Sequence, residues 1–225
     1  MAKKKESTLV NMLVALLVIA AVSGGVLGLV YGVTKDAIAE VDQKKNEAAI
    51  QAVLPIEGEI TYKADTMKYD YEGTTLTFPC NLAYDASGNF QGAAVKTSEG
   101  GFGGKIELMV GIAADGIIKG VSVLSHSETP GLGANMDKVL VGQFADKKPG
   151  DHFSFEVTKT KEEGKVDAIT AATITSRAFT KAVEKAYEAF KAQYINNAPA
   201  EEEAPVMEET PAEENNETEG GTENE

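Results

Sequence analysis

The sequence predicts an α+β domain with a mainly antiparallel sheet and flanking helices, set behind a single N-terminal transmembrane helix. Three observations carry this prediction. An uncharged apolar run opens the chain, short β-rich segments punctuated by turn signals fill its middle, and apolar residues at helical spacing close its body.

The opening run is "LVNMLVALLVIAAVSGGVLGLVYGV", residues 9–33, with no charged residue between Glu6 and Lys35. Its 25 residues suffice to cross a hydrocarbon core of about 30 Å with some tilt. Gly24, Gly25, Gly28 and Gly32 weaken a soluble helix but are tolerated in a membrane one. The run exceeds the about 7–15 apolar residues of a cleaved signal peptide, which favours an uncleaved anchor. Lys3, Lys4 and Lys5 precede it, so the positive-inside rule puts residues 1–8 in the cytoplasm and everything after the span outside it.

Residues 34–58 read as a membrane-proximal helix and linker. Ile38, Val41, Ala48 and Ala52 recur at roughly helical spacing, and Pro55 stops the helix. Residues 59–197 form the predicted globular domain. "TLTF", "NLAYD" and "FQGAAVKT" are short strands, with "DASGN" a turn between two of them. "KIELMVGIA", "ADG" and "IIKGVSVLS" predict a β-hairpin whose first strand is half-buried, with Ile106, Leu108, Val110 and Ile112 inward. "ANMDKVLVGQFAD" reads as a helix with Met136, Val139, Leu140 and Phe144 on one side, and "HFSFEVT" as a strand. The last helix carries the stripe Phe179, Val183, Ala186, Phe190 and Tyr194. Residues 198–225 are an acidic tail, expected to be disordered and solvating.

Charge excludes some functions. The formal net charge is −14, but 11 of the 35 acidic residues are Glu of the tail, which holds no Lys or Arg. The remaining 24 carboxylates face 21 bases, a nearly neutral body without a basic stripe, so no nucleic-acid partner is expected. Cys80 is the single cysteine, and His126 and His152 are the two histidines. No internal disulfide, iron–sulfur cluster or cysteine metal site is possible, and no metal site is expected. Chemistry must come from hydroxyls, carboxylates or an organic cofactor.

Two stretches stand out. "DAITAATITS" places Thr173 at or just before the first turn of the last helix, where unpaired N–H groups favour an anion. Ala171 and Ala172 leave its hydroxyl open to approach. Ordinary N-capping explains the same hydroxyls, so spacing alone leaves capping and phosphate binding both open. "HSETPGLG", residues 126–133, is a loop whose Gly131 and Gly133 let backbone approach a flat ligand, with Glu128 and Thr129 as polar contacts. A purely structural turn is the other reading. "GGFGG", residues 100–104, is a third flexible point with Phe102 available to pack, but it lacks the Lys and helix of a phosphate loop.

Taken together, "GFGGKIELMVGIAADGIIKGVSVLSHSETPGLG" and, some forty residues on, "DAITAAT" closely resemble the FMN-binding domain of the Rnf electron-transport complex G subunit. The C subunit of the sodium-translocating NADH:quinone reductase shares that domain. The resemblance runs from the span to about Asn196 and leaves out the acidic tail. It implies FMN joined through its phosphate to a threonine hydroxyl, attached by a flavin transferase at a motif Asp-x-x-Ser/Thr-Gly-Ala-Thr. The matching residues are Asp167, Thr170, Ala171, Ala172 and Thr173, with Thr173 the implied acceptor and Ala171 replacing the usual Gly. His126, Glu128, Thr129, Gly131, Leu132 and Gly133 are the further expected cofactor-binding residues, with the loop from Thr129 to Gly133 the candidate ring pocket and Leu132 an apolar contact. The implied function is an electron relay, with no catalytic residue of its own, in an ion-translocating complex of the inner membrane. Its partners would be the other Rnf subunits, the transferase and the bilayer, and its flavin domain would be extracytoplasmic. The alternatives are the reductase's C subunit and a flavin-free membrane-anchored module.

Overall fold

The structure, a computed structural model, describes residues 9–56 and 58–196. The short cytoplasmic N-terminus and the acidic tail predicted above lie outside the described residues. One uninterrupted helix, α1 (Leu9–Val53), opens the chain, so the span and the membrane-proximal helix are a single element. Its apolar part is long and apolar enough to cross a membrane, and none of its most apolar window is buried. Only its last turns are buried, at Ala49, Ile50 and Val53. It ends two residues before Pro55, whose ring disfavours helical backbone in the residue preceding it.

Five strands follow in one antiparallel sheet of order β1-β2-β3-β4-β5. They are β1 (Thr61–Tyr71), β2 (Thr74–Tyr84), β3 (Phe90–Gly100), β4 (Lys105–Ala113) and β5 (Ile118–Ser125). "TLTF" and "NLAYD" are one strand, not two. Pro79 sits inside β2, opposite Thr66 of β1, and the β2–β3 pairing starts only at Cys80↔Val95. A proline removes a ladder donor, so it is tolerated where one edge of the strand is unpaired.

β4 is covered on both faces. Ile106, Leu108, Val110 and Ile112 are fully buried on one side as predicted, but Met109 and Gly111 are buried on the other. The end of α1 causes this. A Cβ on Gly111 would lie 2.0 Å from the carbonyl oxygen of Val53, so only glycine lets the helix settle on the strand. Ala49, Ile50, Val53 and Leu54 form a small second core there with Ala83, Ala94 and Met109.

The main core lies on the opposite face, under α4 (Thr173–Phe190), which buries Phe179, Ala182, Val183, Ala186 and Phe190. A π-helical turn (Lys191–Ile195) extends α4, and there the Tyr194 hydroxyl donates to Asp65 of β1 at 3.0 Å. The helix predicted from "ANMDKVLVGQFAD" is instead a 3₁₀ turn (Gly133–Asn135) followed by α2 (Met136–Val139) and α3 (Val141–Phe144). Met136, Leu140 and Phe144 still face the core, while Val139 stays partly exposed.

"HFSFEVT" is the clearest correction. Only Val157–Thr158 is a strand, β6, paired in parallel with β7 (Val166–Asp167). Phe153 and Phe155 are held by rings, not by a ladder. Phe153 meets Phe144 edge-on with centroids 5.7 Å apart, and Phe155 packs on Tyr187 at 5.9 Å. Their alternation reflects one core-facing side of an irregular extended segment.

Candidate functional site

The site forms where the tip of the β3–β4 hairpin, the segment after β5 and the first turn of α4 converge. They enclose a cavity of about 350 Å³ lined by Phe102, Glu128, Thr129, Leu132, Gly133, Ala171, Ala172, Thr173, Ile174 and Thr175. That volume lies within the roughly 300–1,000 Å³ of small-molecule pockets. Three large apolar side chains in its wall remain open to solvent: Phe102 at 71%, Ile174 at 56% and Leu132 at 42%.

The segment after β5 takes its shape from proline and glycine. Leu132 N–H donates to Thr129 C=O at 3.2 Å, with Pro130 and Gly131 between them and Gly131 at φ +80°. Proline followed by a left-handed glycine is the pattern of a type II turn. Gly131 therefore serves the turn. It is exposed, and a Cβ there would meet nothing within 4 Å. Gly133 is the close-approach glycine, since its Cβ would lie 2.5 Å from Glu128 Oε2 and 2.7 Å from Thr175 Oγ1.

The hydroxyls of "TAATITS" have distinct tasks. Thr175 is buried and donates to Glu128 Oε2 at 2.7 Å. Ser176 accepts Ile169 N–H at 2.9 Å and donates to Ala172 C=O at 3.0 Å, tying the loop to the helix. Thr170 is exposed and does not line the cavity. Thr173 does line it, and its hydroxyl has no hydrogen-bond partner among the described residues. It does not cap the helix either. The N-cap position is Ala172, without a side-chain cap. The first-turn N–H groups of Thr173, Ile174 and Thr175 thus lack an intrahelical carbonyl and a polar cap, which favours an anion there.

Ala171 has φ +61°. Glycine adopts that left-handed backbone freely and alanine does not. Asp167 lies away from the cavity at the end of β7. Gln143 holds its backbone, accepting Asp167 N–H at 2.7 Å and donating to its C=O at 3.1 Å. Its Oδ1 is buried without a hydrogen-bond partner.

Thr129, Leu132, Gly133, Ala171, Ala172 and Thr173, all named from sequence, meet around one cavity, with Glu128 in its wall. His126, Gly131, Asp167 and Thr170 do not line it. His126 instead accepts Glu128 N–H at Nδ1, 3.2 Å away. Sequence reasoning missed Ile174, saw Thr175 only as one more hydroxyl of the motif, and left Phe102 outside the site. The run of glycines around Phe102 marked a flexible point but not what it bends toward.

Comparison with known proteins adds a family. The FMN-binding domain family matches residues 101–188. Over 196 residues the chain is 35% identical to the G subunit of the ion-translocating oxidoreductase complex of Aliivibrio fischeri (strain MJ11), covering 83% of this chain and 90% of that one. It is 33% identical over 183 residues to the G subunit of the Na(+)-translocating ferredoxin:NAD(+) oxidoreductase complex of Acetobacterium woodii, covering 78% and 88%. A solved structure of the C subunit of the Na(+)-translocating NADH-quinone reductase from Parabacteroides distasonis shares the fold, with a TM-score of 0.50 at 18% identity. It covers 69% of this chain and 94% of that one.

Proposed function

The chain belongs to the family of G subunits of ion-translocating oxidoreductase complexes, and from that premise we propose that it relays electrons through an FMN joined covalently to Thr173. Membership makes it a membrane-anchored flavoprotein subunit of a multi-subunit electron-transport complex, with the other subunits as its partners. The attachment, the relay step and the sidedness are our reading.

One observation carries it. Of the hydroxyls at residues 170, 173, 175 and 176, Thr173 alone combines a place in the cavity wall with a side chain unpaired among the described residues. The cavity also suits the group. Apolar walls at Phe102, Leu132 and Ile174 would shelter a flat ring, the glycine at 133 lets backbone come close, and the uncapped helix start would receive the phosphate.

FMN, when bound, supplies the redox chemistry, accepting electrons and passing them on singly. The residues do the rest. Thr173 Oγ1 would carry the phosphate as an ester, and the N–H groups of residues 173–175 would hold its charge. The small side chains of Ala171 and Ala172 leave room for a flavin transferase to reach that hydroxyl. Asp167 and Thr170, off the cavity, are available to the transferase as recognition groups. Phe102, Leu132 and Ile174 would limit water around a bound ring.

The test is Thr173→Val in cells that supply the transferase. Valine keeps the shape and removes the acceptor oxygen. Denatured parent protein is expected to fluoresce in gels and the variant to be dark, with both folded. Flavin that stays on the variant through denaturation would move the attachment to another hydroxyl.

A further inference from the structure

Glu128 is the one buried acidic or basic side chain among the described residues, 6% exposed, and it forms no ion pair among them. Burying a carboxylate without a counter-charge is costly unless donors hold it. Two donors do, from distant parts of the chain. Gly103 N–H, in the tip of the β3–β4 hairpin, donates to Oε1 at 2.9 Å, and the Thr175 hydroxyl, in the first turn of α4, donates to Oε2 at 2.7 Å.

The backbone is built around this carboxylate. A Cβ on Gly101 would lie 2.3 Å from Oε1, and one on Gly133 2.5 Å from Oε2. A Cβ on Gly103 would lie 2.2 Å from the Ser127 carbonyl oxygen. Three glycines thus let two loops close on one side chain. Between Gly101 and Gly103 stands Phe102, which lines the cavity while remaining largely exposed. Few packing contacts hold its ring, so its position depends on the loop that carries it.

We propose that Glu128 is a positioning residue. It latches the hairpin tip at residues 100–104 to the first turn of α4 and so holds the Phe102 ring against the flavin. The latch rests on the FMN reading above. It assigns Glu128 a task other than the direct cofactor contact suggested by its sequence context, and it needs a side chain there that hydrogen-bonds to both Gly103 N–H and the Thr175 hydroxyl, not a charge.

A tryptophan reporter tests it in full-length protein loaded by the transferase. An indole in contact with the flavin ring quenches its emission by electron transfer. Phe102→Trp is expected to dim the folded protein several-fold relative to the parent, at equal brightness once both are denatured. Adding Glu128→Ala should release the tip and restore emission. Adding Glu128→Gln should keep the quenching, because its amide oxygen accepts Gly103 N–H and its amide nitrogen donates to the Thr175 hydroxyl. Thr175→Val, which removes one arm and leaves the carboxylate, should give intermediate emission and covers the case in which Glu128→Ala does not fold.

A loaded but unquenched Phe102→Trp protein overturns the latch. So does a Glu128→Ala variant as dim as its background, or a Glu128→Gln variant as bright as Glu128→Ala. Denatured parent protein without flavin overturns the FMN reading itself, and the latch with it.

Discussion

At the scale of single residues, Ala171 shows a local rule broken two residues before the proposed acceptor Thr173. Its φ of +61° is a conformation that costs an L-residue roughly 1–2 kcal/mol. Glycine would relieve this but adds unfolded-chain entropy, which returns about 0.4–1 kcal/mol. Ala171→Gly is therefore expected to stabilise the domain by about 0.5–1 kcal/mol, read as a rise in the thermal midpoint. An unchanged or lower midpoint would mean that alanine is not strained there. The residue scale also explains why parts of the site were legible in the sequence. Thr173, Thr129, Leu132 and Gly133 sit in dense motifs whose local chemistry survives folding. Gly131 was legible only as a glycine, and the turn it serves assigned its role. Phe102 was hidden because the contact that defines it, Gly103 to Glu128, spans 25 residues and exists only after β4 and β5 pair.

At the scale of elements, the joint between α1 and the sheet depends on glycine. Val53 lies over β4 and β5, where Gly111 leaves room for its carbonyl and Gly120 for its Cα. A methyl group at 111 would meet the Val53 backbone at 2.0 Å, and backbone cannot rotate away as a long side chain can. Gly111→Ala is expected to lift the end of α1 and destabilise the domain by about 1–3 kcal/mol, the usual cost of overpacking. Glutamyl-specific proteolysis at Glu59 should quicken in step. Unchanged cleavage and stability would show that the helix end does not need this contact. The double coverage of β4 is hard to read in sequence because alternation reports one apolar face, while Gly111 and Met109 on the other face look neutral until α1 arrives. β1 is hard to read for the opposite reason. Only Met67 is buried among its eleven residues, so "TYKADTMKYDY" has no alternation to follow. Its turn, Glu72–Gly73 with φ of +50° and +80°, is a two-residue hairpin of the left-handed kind but lacks the usual Asn or Asp. In contrast, α4 carries a full apolar stripe, and its buried side runs from Phe179 through Phe190 as that stripe predicts.

At the scale of the whole molecule, the question is which side of the membrane holds the flavin domain. Because α1 runs unbroken from the span to the sheet, the domain must lie on the side where residue 53 emerges. Lys3 to Lys5 all lie within six residues of Leu9, whereas beyond Val33 only Lys35 is that close, with Lys44 and Lys45 further along the helix. On the positive-inside rule we expect the clustered Lys to keep the N-terminus in the cytoplasm and the domain to lie across the membrane. A membrane-impermeant thiol reagent tests this without removing the native cysteine. Cys80 is 2% exposed, and burial, with the Asp65 charge beside it, pushes its thiol up to about 11. At neutral pH it stays protonated and shielded, and so silent. A cysteine at exposed Ser87, in the turn between β2 and β3, is expected to react in intact spheroplasts, whereas one at Ala2 should react only after the membrane is broken. The reverse pattern would place Thr173 and its cavity in the cytoplasm, and would require the flavin to be attached and reduced from that side.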